Sequence, residues 1–331
     1  MMAMTQVESD FLERFELVLK DVLASPTYTD REPRVLMEAA RYLSLSPGAK
    51  RMRPQLVNHF GAAVDAPLQA RLDVAVAAEL MHAASLMHDD VVDEGKERRG
   101  KPTVNAQWSN SVAVLSGDLM LCLALTRLSA FDHSISLDAV ELVAQMTWAA
   151  MHEVECRGDV YLSVQRWRAI AEGKTGALLA WCGTAPARVA GHEEESWRFA
   201  RCGHHLGVAF QLADDLKDFL DRTTGKDPLA DLRNRNPAYP IALALERSDA
   251  FRDALGALWE REVMIDDEIE AMGHWMVELD VHLDTMAACE REIAMALDAL
   301  GPYQNLPGGV EITQWGLMLE QMARQCLENR I

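Results

Sequence analysis

The sequence predicts an all-α protein, and three observations predict it. Of its 331 residues only 6% are aromatic, with 19 Gly and 12 Pro and many Ala, Leu, Met and Glu, a composition that favours helices over sheets. Proline-free, glycine-poor stretches carry apolar residues at helical spacing over 71–93, 111–128, 139–154, 195–219 and 250–300. Turn-forming clusters separate them at 46–48, 95–103, 186–191, 223–240 and 301–309, and none reads as an interdomain linker. A single domain over 1–331 is expected, with residues 1–10 flexible.

Taken in order, the stretch at 71–93 runs through Ala78-Glu79-Leu80-Met81-His82-Ala83-Ala84-Ser85-Leu86-Met87-His88 into Asp89-Asp90-Val91-Val92-Asp93. The stretch at 111–128 contains Gly117-Asp118. Before the helix that starts near Ala177, Glu172-Gly173-Lys174-Thr175-Gly176 places a lone cation. It is not a P-loop, because the Gly-x-x-x-x-Gly-Lys spacing is absent. The stretch at 195–219 repeats the first pattern: Leu206-Gly207-Val208-Ala209-Phe210-Gln211-Leu212-Ala213 feeds into Asp214-Asp215-Leu216-Lys217-Asp218. In 250–300, Asp266-Asp267-Glu268 lies between Glu262 and Glu270 and reads as surface charge.

The net charge of −19 argues against binding nucleic acid or an anionic membrane over the whole surface, so any anion must meet a local basic cluster. The six cysteines show no C-x-x-C spacing, which signals neither a disulfide framework nor zinc and fits a cytoplasmic protein. Residues 1–10 are acidic and polar rather than charged-then-apolar, so they are not expected to act as a signal segment. No apolar run approaches the roughly 18 residues of a membrane span.

In each aspartate cluster the first and third carboxylates are four residues apart and the second and third three apart, so they share one helix face. Crowded near the end of a helix, where its dipole disfavours anions, they need a cationic partner. A solvated acidic face is the ordinary reading. Here nearly apolar stretches lead straight into the carboxylates, which places them at the rim of a core. Oxygen-only donors suit Mg²⁺ that keeps water and shares phosphate ligands, and two facing clusters imply a cavity for several such ions with a polyphosphate substrate. Two basic turns could meet that substrate: Gly48-Ala49-Lys50-Arg51-Met52-Arg53-Pro54, and Glu97-Arg98-Arg99-Gly100-Lys101-Pro102-Thr103.

With these motifs in this order, together with Lys174-Thr175 and Gly225-Lys226, most of the chain resembles the trans-type polyprenyl diphosphate synthases, head-to-tail prenyltransferases that build linear isoprenoids. The resemblance implies an all-α isoprenoid synthase fold, ten or more helices around a deep central cavity, in a homodimer. It implies that Asp89 and Asp93, with Asp90 in support, and Asp214 with Asp218 hold magnesium. Arg98, Lys174, Thr175, Gln211 and Lys226 then contact the allylic diphosphate, and Lys50, Arg53, His82 and Arg99 bind isopentenyl diphosphate. One departure stands out: Asn236 occupies a position where the family usually has lysine, with Arg233 and Arg235 as candidate replacements. The stretch after Met151 departs too, keeping Glu155 but with Val154 and Gly158 in place of the usual neighbours.

The resemblance also implies a product tunnel along the helix of the first cluster. Ala84 and Ser85 are small where short-chain members carry bulky aromatics, and Met81, one turn deeper, is flexible. The expected product is therefore C20 or longer. Two alternatives remain. A class I terpene cyclase would carry a mixed Asn/Ser/Glu second motif and need no isopentenyl site. A noncatalytic or regulatory subunit of a heteromeric synthase is supported only by the altered 233–240 segment.

Overall fold

The computed structural model describes residues 6–24, 34–220 and 229–328, and nearly all of them are helical. The chain groups into two compact units: residues 1–143, 181–200 and 306–309 form the first, and residues 144–180, 201–305 and 310–331 the second.

The chain opens with α1 (Gln6–Ala24), α2 (Arg34–Ser44), α3 (Met52–Ala62) and α4 (Leu68–Val92). Helix α1 takes in residues 6–10 of the segment expected to be flexible. An antiparallel pair, β1 (Glu97–Arg98) and β2 (Lys101–Pro102), leads to α5 (Val104–Gln107) and α6 (Asn110–Leu128). After α7 (His133–Glu155) and α8 (Val164–Ala171) comes a π-helical turn, Glu172–Gly176, which runs into α9 (Ala177–Val189) and α10 (Glu193–Leu220). The rest is α11 (Ala230–Asn234), α12 (Tyr239–Arg247), α13 (Asp249–Trp259), α14 (Asp266–Glu278), α15 (Val281–Leu300), a 3-10 turn at Gly301–Asn305, and α16 (Gly309–Glu328). Local chemistry starts several helices: the hydroxyls of Ser109, Ser163 and Ser248 accept from the N–H of Val112, Arg166 and Phe251 at 3.2, 3.1 and 3.1 Å.

In the first unit α4 is the central helix. Val74 to Ala78 are fully buried, and the helix packs on α1, α3 and α6. The expectation that no stretch approaches a membrane span fails for α6, a 19-residue helix whose 18-residue window has a mean hydropathy of 1.6. That helix packs on α2 and α4, and 39% of the window is buried. In the second unit Leu212, Leu216 and Phe219 of α10 join Trp167, Tyr239, Phe251 and Ile293 in one apolar core. Helix α12 is held there by α8, α13, α14 and α15.

Two turn expectations are corrected. Pro186 lies inside α9, which continues to Val189 and turns at Gly191, φ +83°. The stretch at 250–300 divides into three helices, and its breaks at 260–265 and 279–280 contain neither Pro nor Gly. Asp280 enters the left-handed region there, φ +56°, so the break carries no sequence punctuation.

Candidate active site

Helix α4 of the first unit brings His82, Ser85 and Asp89 to one partly exposed stripe, at i, i+3 and i+7. Met81 and Ala84 turn the other way and are fully buried, while the Ser85 hydroxyl donates to the His82 carbonyl at 2.8 Å. Of the three residues expected to set product length, Ser85 alone therefore shares the face of Asp89. Asp93 caps the helix, its N–H reaching the Asp89 carbonyl at 2.8 Å, and its side chain is exposed.

Asp90 is different: 4% exposed, it accepts from Arg98 through Nε at 3.1 and 3.2 Å and Nη2 at 2.8 Å. Its carbonyl accepts from the Gly95 N–H at 2.9 Å and from Asn105 Nδ2 at 3.2 Å. Asn105 also reaches the Gly95 carbonyl at 3.1 Å, as does the Thr103 hydroxyl at 2.7 Å. The turn after α4 is thus pinned, and it presents Arg99, exposed and at φ +54°, beside Gly100 at φ +73°.

The two basic turns sort themselves by their ion pairs. Arg51, 7% exposed, donates to Glu16 (Nε, 2.7 Å), Glu79 (Nη1, 2.5 Å) and the Ser44 carbonyl (Nη2, 2.7 Å). It does so from a left-handed backbone, φ 50° and ψ 37°, a conformation that costs an L-residue roughly 1–2 kcal/mol. Arg51 and Arg98 are internally neutralised. Arg53 and Arg99 have no hydrogen-bonded or ion-paired partner among the described residues, and Arg53 Nε is enclosed without an acceptor. Burial lowers the Arg53 pKa, offset in part by the Glu79 charge. Burial, then the charges of Arg53, Arg99, Arg98 and Arg51, hold His82 well below the usual imidazole range, so its ring is neutral. Lys50 is exposed at the edge of α3. The first unit thus carries a cluster of positive side chains with unspent donors, beside a cleft lined in part by Arg98, Arg99 and Lys101.

In the second unit Asp214 is exposed, whereas Asp215 beside it is 5% exposed and anchors the core. Asp215 accepts from Trp167 Nε1, the Tyr239 N–H and Gln211 Nε2, each at 2.8 Å. Gln211 in turn accepts from the Thr175 hydroxyl at 3.3 Å. Gln211 and Thr175, expected to touch the allylic diphosphate, form a bridge from the π-turn to Asp215. Lys174 on that turn pairs with Glu153. Asp218 accepts from the Asp231 N–H at 3.0 Å, and Asp231 accepts from Asn236 Nδ2 at 3.0 Å. Burial, then the Asp218 charge, pushes the Asp231 carboxyl up to about 7. Of the two arginines considered as replacements for the lysine, Arg233 pairs with Asp266 at 2.8 Å, and Arg235 donates to the Arg261 carbonyl at 2.8 Å. Lys226 lies outside the described residues.

Glu79, Glu153, Trp167, Tyr239 and Asp231 were not singled out from sequence as site residues. Glu79, three residues before His82, carried the one available signal, a lone carboxylate inside an apolar helix. Among the described residues no three His, Cys, Asp or Glu side chains close on one point to hold a metal. The oxygen donors are instead partly exposed or exposed at helix ends, an arrangement that fits Mg²⁺ retaining water and sharing a phosphate, not a cage made by the protein alone.

The family described as Polyprenyl synthetase matches this chain over residues 33–273, well over half its length. The chain belongs to the polyprenyl synthetase family. The chain is 34% identical over 226 residues to the nonaprenyl diphosphate synthase of Mycobacterium tuberculosis, covering 67% of this chain and 68% of that protein. It is 35% identical over 229 residues to heptaprenyl diphosphate synthase component 2 of Geobacillus stearothermophilus, covering 67% and 71%. Its fold is shared with the decaprenyl diphosphate synthase of Rhodobacter capsulatus, at a TM-score of 0.88, 23% identity, and 96% and 98% coverage.

Proposed function

We propose that the protein condenses isopentenyl diphosphate head to tail with an allylic diphosphate, giving a linear trans-polyprenyl diphosphate of C20 or longer and inorganic diphosphate. The observation that carries this reading lies in the first unit, where Arg53 and Arg99 have no hydrogen-bonded or ion-paired partner among the described residues and their charges act on a neutral His82. Guanidinium forks suit diphosphate oxygens, and a neutral imidazole donates one N–H without adding a charge.

In this reading Lys50, Arg53, His82 and Arg99 bind isopentenyl diphosphate, leaving its alkene free to react. Arg98, steadied by Asp90, and Lys174, steadied by Glu153, orient the allylic diphosphate together with Lys226. Thr175 and Gln211 hold the π-turn in place. Asp89, Asp93, Asp214 and Asp218 are the residues that would hold magnesium, which when bound supplies positive charge to the departing diphosphate. The allylic C–O bond breaks, the alkene attacks the resulting cation, and proton loss regenerates an allylic diphosphate. No nucleophilic side chain takes part.

Purified protein incubated with labelled isopentenyl diphosphate, Mg²⁺ and C5, C10, C15 or C20 primers tests the proposal. Chain-extended products are expected, and Asp89→Ala and Asp214→Ala should each lower turnover about 100-fold or more. No consumption of isopentenyl diphosphate with any primer would sink it.

The single-domain, cytoplasmic homodimer belongs to the same reading. Val114 and Leu115 on α6 and Leu137 and Val140 on α7 are large apolar side chains left exposed, which supports a second copy covering them. The Geobacillus relative is named as one component of a synthase, so a chain that is monomeric and inactive alone would favour a heteromeric partner.

A further inference from the structure

A diphosphate site made of arginines must hold those arginines apart while it is empty. In the first unit one carboxylate is placed for that task. Glu79, 7% exposed, sits one turn before His82 on α4, accepts from Arg51 Nη1 at 2.5 Å, and lies close enough to Arg53 for its charge to act there. Arg51 occupies a left-handed position immediately between Lys50 and Met52-Arg53, at the start of α3. Whatever keeps Arg51 in that conformation also aims Lys50 and Arg53. Its other anchors are Glu16, on α1 and a third exposed, and the Ser44 carbonyl. Of the two carboxylates only Glu79 acts on Arg53 as well.

We infer that Glu79 is a positioning residue of the isopentenyl diphosphate site: its carboxylate locks the left-handed turn at Arg51, and so sets where Lys50 and Arg53 stand before the diphosphate arrives. This rests on the site reading above and adds a residue to it. Glu79 touches no substrate.

The test compares Glu79→Gln, which keeps shape and loses charge, with Glu16→Gln, which removes Arg51's other carboxylate. Steady-state kinetics and calorimetric binding of inorganic diphosphate are measured on the full chain. Expected for Glu79→Gln are a KM for isopentenyl diphosphate raised about tenfold, a KM for the allylic primer within twofold of wild type, and a matching loss of diphosphate affinity. Glu16→Gln should stay within threefold throughout. If both substrates' KM values rise together, if neither moves, or if the two variants behave alike, Glu79 is only structural and the inference is overturned.

Should Glu79→Gln fail to fold, Arg51→Lys replaces it. Lysine keeps the charge but cannot bond both carboxylates and the Ser44 carbonyl through one planar fork, so the same selective rise is expected. An unchanged KM for isopentenyl diphosphate in that variant overturns the inference. Wild type that binds diphosphate but condenses nothing, with binding lost in Glu79→Gln, refutes the reaction and leaves Glu79's role standing. Wild type that neither binds nor condenses refutes both.

Discussion

Neighbouring aspartates in this chain do unlike work. Asp214 is exposed, while Asp215 has its carboxylate oxygens occupied by three donors. Asp214→Asn should therefore leave stability within about 0.5 kcal/mol of wild type while turnover collapses. Asp215→Asn turns an NH₂ toward a buried donor and should cost about 2–3 kcal/mol in urea unfolding. Equal unfolding curves for the two variants would contradict the division. His82 carries a second residue-scale prediction. Its folded pKa is depressed below the ordinary 6.5, so the unfolded chain binds the extra proton as pH falls below about 6.5. Stability is fully present above that value and declines toward the lower folded pKa, with a slope of at most about 1.4 kcal/mol per pH unit. His82→Asn should flatten the fall in Tm between pH 7 and pH 5.

At the scale of elements, close helix approach supports the second unit's site. A Cβ at Gly207 of α10 would lie 2.6 Å from Gly176 Cα, at the end of the π-turn that carries Lys174 and Thr175. Backbone cannot yield as a flexible side chain does, so Gly207→Ala should lower stability by about 1–3 kcal/mol and depress turnover with it. Turnover unaltered in the folded variant would show the π-turn to be incidental. Product length belongs to α4. Ala84 is fully buried, so Ala84→Phe overpacks a closed core besides any effect on a tunnel. Ser85, on the Asp89 stripe, is the cleaner site, and Ser85→Phe should shorten the longest product by at least one C5 unit. Identical product profiles would remove α4 from chain-length control.

Taken as a whole, the molecule carries net charge −19, yet Arg53 and Arg99, without hydrogen-bonded or ion-paired partners among the described residues, both act on His82. Long-range attraction of diphosphate is therefore weak, and binding must come from the local site. No three metal-binding side chains converge among the described residues. EDTA should accordingly abolish turnover while moving the unfolding midpoint by no more than about 1 °C, whereas a metal-dependent fold would lose several degrees.

Helical class, the two aspartate helices and the basic turns were legible in residue order, because period and composition are local properties. Asp89 and Asp214 stand out by spacing alone, and both emerge with accessible carboxylates. Spacing did not separate Asp90 and Asp215 from them, since an Asp reads the same whether it faces water or receives Arg98 or Trp167. Nor did it separate Arg51, wholly spent on Glu16 and Glu79, from Arg53 two residues later. Glu79 and Glu16 lie 28 and 35 positions from Arg51, and Trp167 lies 48 from Asp215. Charge type is written in the chain, whereas whether a charge is free to meet a ligand depends on which distant side chain folding sets against it.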